Sequence, residues 1–402
     1  MSRFKKSLFS LLLLVTGLAF SADAQVIGGP NNPGISGLID SRRVIAVAVP
    51  FLTITPDSRA GGMGEAGVAT TPDANSIHWN PAKMAFIDKE AGFAISYNPW
   101  LPRLVNDMWL AYLTGYKRIS KLETIAGSIR YFNLGNMQFT DINGVVQQDF
   151  NPREFAIDIT YARKLSNSLS IAPAFRFVNS NLAGAISNSS TNTNARPGNT
   201  VAVDISMYYR KKQNWGLLPV EVALGANISN IGLKLTYNDP NSRDFIPTNL
   251  RLGTALTGEF DAYNKLTFAF DINKLMVPSP VIVNNRVQMP DKTLISGIFG
   301  SFSDAPGGFS EEIQEVMIAT GVEYWYNDLI ALRGGYFYEH RNKGGRQYFT
   351  LGAGLKYQTF AINFAYLLPI GQQNPLADTM RFSLLFNFNK TDKTDGEGAP
   401  KS

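Results

Sequence analysis

The sequence predicts an all-β protein, a transmembrane antiparallel β-barrel of about 14 strands with an N-terminal luminal hatch. Three observations carry that reading. Apolar residues alternate with small or polar ones through most of the chain, the period of a strand with two unlike faces. The alternating runs often reach 10 residues or more, beyond the usual strand of about 5–6 and matched to a tilted membrane crossing of about 9–11. The connections between runs alternate short and long, the order expected of periplasmic turns and outside loops.

The N-terminus is set apart first. Arg3, Lys5 and Lys6 precede the apolar run SLFSLLLLVTGLAF, and Ala22-Asp23-Ala24 supplies a small-x-small cleavage site. Residues 1–24 therefore read as a signal peptide of an exported protein. Loss of Arg3, Lys5, Lys6 and Asp23 lowers the formal charge from +5 to +3. No Lys/Arg run is dense enough for nucleic acid. The chain has no cysteine, so disulfide and thiol chemistry are absent. No later stretch supplies the roughly 20 apolar residues of a membrane helix.

Residues 25–90 form the N-terminal segment and hatch, 91–390 the barrel, and 391–402 a polar tail expected to be disordered. In 154–164, EFAIDITYARK, Phe155, Ile157, Ile159 and Tyr161 share one face, and Glu154, Ala156, Asp158, Thr160 and Ala162 the other. The runs 264–274, 348–358 and 381–390 behave alike. In a barrel the apolar face meets lipid and the other lines the lumen. Fourteen strands are expected, centred near 95, 111, 128, 159, 173, 206, 224, 253, 269, 320, 334, 352, 364 and 385. Links after even strands are short, with the one near Gln213 somewhat longer. Links at 133–152, 179–199, 230–247 and 276–314 are long. Aromatic clusters such as YNPW and YWYN sit at run ends, as an interfacial girdle would. The last strand presents Phe382, Leu384, Phe386 and Phe388 on one face.

The stretch SRAGGMGEAGVATTPDANSIHWNPA, 58–82, is the densest in possible motifs. Gly61-Gly62-Met63-Gly64 leads to Glu65, not to Lys-Ser/Thr, so no phosphate loop is present. Gly62-x-Gly64-x-x-Gly67 has dinucleotide spacing without a βαβ setting. Ser76 and His78 lie close, yet no carboxylate is placed to orient either, and His78 reads as a packed plug residue. The only other histidine, His340, falls at an outside strand end, so no metal site is expected. No catalytic residue and no cofactor are expected. The structural reading gives Gly62, Gly64 and Gly67 close backbone passage. Asp73 would cap a short helix over 74–79, and Asn80-Pro81 would break or restart it. Asp57, Arg59, Glu65 and Asp73 would pair with a polar barrel wall.

With those residues in view, RAGGMGEAGVAT and DANSIHWNPAKMAF resemble the N-terminal hatch of the FadL-type outer-membrane family. The longer run from Pro50 to Phe86 resembles more specifically the PorV family, outer-membrane subunits of the Bacteroidetes type IX secretion system. The resemblance implies a non-enzymatic barrel in contact with outer-membrane lipid. It further implies three partners: the type IX translocon barrel, the C-terminal signal domains of secreted cargo, and a sortase-containing attachment complex. Within the longest loop, Leu294, Ile295, Ile298, Phe299 and Phe302 fall at helical spacing, with Asp291 as a plausible cap. That apolar stripe is the candidate partner- or cargo-binding element. The alternative function is FadL-like transport of hydrophobic small molecules, for which Pro173 could kink a strand. The lumen-facing Asp158, Asp204, Arg251, Asp271, Arg333 and Glu339 speak for a polar interior instead.

Overall fold

In a computed structural model the chain is described over residues 44–389, apart from 141–144, 183–186, 189–192, 195, 238–242, 284–285 and 371–373. The expected signal peptide and polar tail lie outside these residues, as does part of the loop 179–199.

Fourteen antiparallel strands close into one barrel. They are β1 (Ala91–Pro99), β2 (Trp109–Arg118), β3 (Glu123–Asn133), β4 (Arg153–Lys164), β5 (Leu169–Asn181), β6 (Gly198–Trp215) and β7 (Leu218–Gly232). They continue as β8 (Asn249–Glu259), β9 (Asn264–Leu275), β10 (Val316–Tyr326), β11 (Ile330–Tyr338), β12 (Gln347–Tyr357), β13 (Phe360–Pro369) and β14 (Met380–Phe388). The seam pairs β1 with β14 from Ala91↔Phe388 to Tyr97↔Phe382, so no edge is left within the wall. All fourteen expected strand centres fall inside these spans.

The faces sort as the alternation requires. In β4, Ile157, Ile159 and Tyr161 are exposed on the outer wall, while Glu154, Ala156, Asp158, Thr160 and Ala162 are buried inside. In β12, Phe349, Leu351, Leu355 and Tyr357 face out, and Tyr348 and Thr350 face in. Stacked outer aromatics ring both ends, Trp109 against Tyr131 at 5.4 Å and Phe93 against Phe386 at 4.8 Å. Outward apolar side chains over a polar, filled interior are the pattern of a lipid-embedded barrel.

The link near Gln213 is not longer than its neighbours. β6 runs on to Trp215 and turns through Gly216-Leu217 alone, with Gly216 at φ 66°. The low apolar content of 210–215 reads as a loop, but this hairpin simply outruns β5. Pro173 makes no register change. The β4–β5 ladder steps from Thr160↔Ala174 to Arg163↔Ile171 in constant register, because proline only withholds an N–H.

The hatch runs the length of the lumen. At the long-loop end the Ala48 N–H donates to Phe245 O at 2.8 Å. At the short-turn end the Glu90 N–H donates to Phe388 O at 3.1 Å, and β1 begins there. Between lie helix α1 (Ser58–Gly61), helix α2 (Ser76–Trp79) and a 3-10 turn over Pro81–Phe86. The hatch helix is shorter than expected. Asp73 does not cap a helix at Ala74; its carboxylate accepts the Asn75 N–H at 2.9 Å and α2 starts at Ser76. Asn80 does restart the chain, its Oδ1 accepting the Ala82 N–H at 3.1 Å with Pro81 in the first turn. A proline is at home there because that N–H has no helical partner to lose.

Candidate functional site

The hatch is locked to the wall by a polar network built on α1. Asp57 caps the helix, accepting the Ala60 N–H at 3.0 Å, and takes the Trp79 indole N–H at 2.6 Å. Arg59 projects to β10. Its Nε and Nη2 meet the two oxygens of Glu323 at 2.9 and 2.7 Å, and Nη1 meets Asp73 at 2.8 Å. Glu323 is held from its other side by Arg333 of β11 at 2.7 Å, which also reaches Asn363 of β13. A two-pronged guanidinium–carboxylate pair fixes direction as well as distance.

Three more anchors tie the hatch to the wall. Asp271 of β9 accepts the Gly67 and Val68 N–H groups at 2.7 and 2.9 Å. The Asn80 amide donates to Val68 O and to Met207 O of β6 at 3.1 and 2.9 Å. Glu65 pairs with Arg381 of β14 at 3.4 Å. Of the charges expected to meet the wall, Arg59 and Glu65 do so. Asp57 and Asp73 are satisfied inside the hatch, because the helix cap and Arg59 are nearer.

The glycines permit the hatch backbone to lie directly on the strands. Gly64 has φ +64°, and a Cβ there would stand 2.4 Å from Tyr336 N. A Cβ on Gly335 of β11 would stand 2.1 Å from Gly64 N, and one on Gly321 of β10 2.3 Å from Met63 O. A Cβ on Gly62 would meet Gly352 Cα at 3.0 Å, and one on Gly67 the Trp79 ring at 2.5 Å. Sequence reasoning missed Gly321, Gly335 and Gly352. Glycines inside strands, where glycine weakens the ladder, were the available signal for close backbone approach.

His78 is buried and bracketed by cations. Arg130 Nη2 sits 2.6 Å from Nδ1, and Arg251 Nη1 lies 3.1 Å from its carbonyl oxygen. Burial, with Arg130 and Arg251 close by, holds its pKa well below 6.5. A neutral ring accepts one guanidinium N–H and offers no base to a nucleophile. Ser76 is spent on the Asp73 N–H at 3.0 Å. His340 is half-buried, and its Nδ1 accepts the Asn342 N–H at 3.2 Å. Among the described residues no cluster of His, Asp and Glu is arranged to hold a metal.

Asp158, Asp204, Arg251, Asp271 and Arg333 all point into the lumen and are buried. Arg176 of β5 ties Asp158 to Asp204 at 2.5 and 3.0 Å across three strands. A register shift in the β6–β7 pairing at Asp204 lets it also take the Asn230 N–H at 2.7 Å. Glu339 lies at the outer end, paired with Arg346 at 2.9 Å. A cavity of about 230 Å³ remains at that end, lined in part by Glu65, Arg251, Glu315, Glu339 and Arg346. Those charged side chains share the lining with Val44, Ile45, Leu275, Met317 and Phe337, so its character is mixed.

The long loop after β9 carries helix α3 (Leu294–Gly300) and helix α4 (Phe309–Gln314). The cap of α3 is Thr293, which accepts the Ser296 N–H, and not Asp291. Asp291 lies two residues too early and instead pairs with Lys234 at 3.0 Å. Of the expected stripe, Ile298 is buried and Leu294 half-buried. Ile295, Phe299 and Phe302 are exposed by 65%, 70% and 45%. Phe309 and Ile313 of α4 are exposed too, at 80% and 56%. Their i, i+4 spacing was the missed signal. α4 is no loose element. Glu312 and Glu315 pair with Lys274 at 3.1 and 2.7 Å, and Glu311 and Glu315 with Lys343 at 2.7 and 2.9 Å.

A closed fourteen-strand barrel with a locked luminal hatch and outward apolar walls defines a plugged outer-membrane β-barrel. The family model described as "Type IX secretion system protein PorV" matches residues 38–282, more than half of the chain. The chain belongs to the PorV family. No curated protein is matched by the sequence. Among solved structures it is similar to a mutant of the TodX monoaromatic hydrocarbon channel, at 13% identity and TM-score 0.49, covering 83% of this chain and 99% of that one. It is similar also to the Ralstonia pickettii toluene transporter TbuX, at 10% identity and TM-score 0.45, covering 84% and 98%. A Pseudomonas aeruginosa FadL homologue matches at 13% identity and TM-score 0.43, covering 84% and 99%.

Proposed function

We propose that this PorV-family barrel is a non-enzymatic adaptor of the type IX secretion system. It binds the C-terminal signal domain of cargo emerging from the translocon barrel and passes that cargo to a sortase-containing attachment complex at the cell surface. The observation that carries the reading is the set of exposed apolar side chains in the long outer loop, Ile295, Phe299 and Phe302 on and just after α3 and Phe309 and Ile313 on the ion-paired α4. A fixed apolar surface in water gains from a partner that covers it. The filled lumen fits the same reading, since a plugged barrel offers position and loops, not a pore.

A groove of about 590 Å³ on the outer wall favours a second reading, FadL-like uptake of a hydrophobic small molecule. Ile157, Ile159, Phe175, Phe177 and Leu233 line it beneath Leu294. Affinity purification from solubilised outer membranes, followed by mass spectrometry, separates the two. The adaptor reading expects a very large barrel protein and secreted proteins sharing a C-terminal domain. Recovery of the barrel alone with a bound apolar molecule supports uptake.

A further inference from the structure

The hairpin of β6 and β7 continues past β5 on the short-turn, periplasmic side, while β7 stays paired with β8 as far as Val220↔Gly258. β5 pairs with β6 only as far as Leu169↔Tyr209, and the Arg210 N–H then closes on Ser168 O at 2.8 Å. β6 runs on to Trp215 with β7 alone beside it. That is roughly 20 Å of strand beyond the last β5 pair. Residues 211–215 are all exposed. At the tip Trp215 is 53% exposed and Leu217 wholly so.

Backbone groups alternate sides along a strand. Since the Arg210 N–H points to the β5 side, the N–H and C=O groups of Lys212 and Asn214 point there as well. No strand lies beside them. An exposed row of this kind is a template for another strand. Its charge is positive in balance, with Arg210, Lys211 and Lys212 set against Glu221 and Glu259. Lys211 has no ion pair among the described residues, and Lys212 has only Glu259 at 3.5 Å, largely exposed to water. Lys121 stands on the β2–β3 turn, while Lys164, the last residue of β4, lies over the Phe86 ring at 4.9 Å.

We propose that this edge is a docking site for an extended, acidic polypeptide segment of a periplasmic protein, added as a further strand against Lys212 and Asn214. Main-chain hydrogen bonds supply the pairing, the lysines select acidic side chains, and Trp215 and Leu217 cover apolar ones. The site lies at the opposite end of the barrel from α3 and α4, so it stands or falls independently of the cargo reading.

The test uses the whole barrel in detergent and a synthetic eight-residue peptide alternating Asp/Glu with Val. Fluorescence anisotropy measures binding, and hydrogen exchange reads the Lys212 and Asn214 amides. The expected result is salt-sensitive binding with slowed exchange at both amides. Asn214→Pro removes one open-side N–H and keeps every charge, so binding should fall about tenfold while the barrel keeps its heat-modifiable gel mobility. Lys211→Glu with Lys212→Glu should abolish it. Equal binding to Asn214→Pro would overturn strand addition in favour of charge alone. Absence of peptide binding, or slowed exchange only with phosphatidylglycerol vesicles, would overturn the proposal outright.

Discussion

Arg59 of the hatch and Glu323 of β10, 264 positions apart in sequence, form a buried two-pronged ion pair at 2.9 and 2.7 Å. Glu323 is shared with Arg333, so the hatch closes a charge chain that begins in the wall. Removing one member of such a buried pair costs about 3–5 kcal/mol, mostly by stranding the other charge. Arg59→Ala is therefore expected to leave the barrel assembled and loosen the hatch. Hydrogen exchange across 57–73 should accelerate, and single-channel recordings should show openings that the parent protein lacks.

The glycines give a sharper contrast. Gly64→Ala puts a methyl into β11 backbone at a left-handed φ. Nothing flexible is there to yield, and the expected loss exceeds about 3 kcal/mol. Gly216 has a similar φ of +66° but open space around it. Gly216→Ala should cost only the conformational term, about 1–2 kcal/mol. Thermal or urea melts of the two variants in the same detergent compare them directly.

His78 makes the hatch sensitive to acid in a defined direction. Its folded pKa is depressed below 6.5 by burial, Arg130 and Arg251. The unfolded ring takes a proton near 6.5 while the folded ring stays neutral. Stability is therefore full above about pH 6.5 and declines as the pH falls below it. His78→Gln retains an acceptor for Arg130 without a titrating ring. Its melting temperature should vary less between pH 7.5 and 5 than that of the parent; an unchanged slope would dissociate His78 from the effect.

The outer wall predicts depth-dependent costs. Ile159, mid-strand in β4, is 63% exposed on the lipid face. Ile159→Arg is expected to destabilise the barrel by about 2–4 kcal/mol in bilayers. Unfolding titrations in phospholipid vesicles measure it.

Strand number and position were legible because two unlike solvents, lipid and a packed lumen, impress a strict two-residue period on every strand. The 210–215 hairpin misled because its polar composition resembles a loop, whereas a strand can run past its neighbour and remain a strand. The hatch was legible as a plug from Gly62, Gly64, Gly67 and the Asn80-Pro81 restart. Its pairings were not: Asp271 and the strand glycine Gly335 are marked as lumen-side positions, but Glu323, Asp271 and Gly335 lie hundreds of residues from the hatch and nothing local says which hatch residue each meets. The outer patch was half legible. The helical spacing announced α3, but Asp291 was drawn off by Lys234, and the contribution of α4 emerged only when its acidic side found Lys274 and Lys343.

The central claim is that the outer helices recognise cargo. Binding of a purified C-terminal signal domain to the detergent-solubilised protein, by calorimetry, tests it most directly. Phe299→Asp, at a position 70% exposed, should leave stability within about 0.5 kcal/mol of the parent. The account predicts that the parent binds the domain and that Phe299→Asp weakens binding at least tenfold. Equal affinity in both proteins, or no binding by a folded parent, would contradict it.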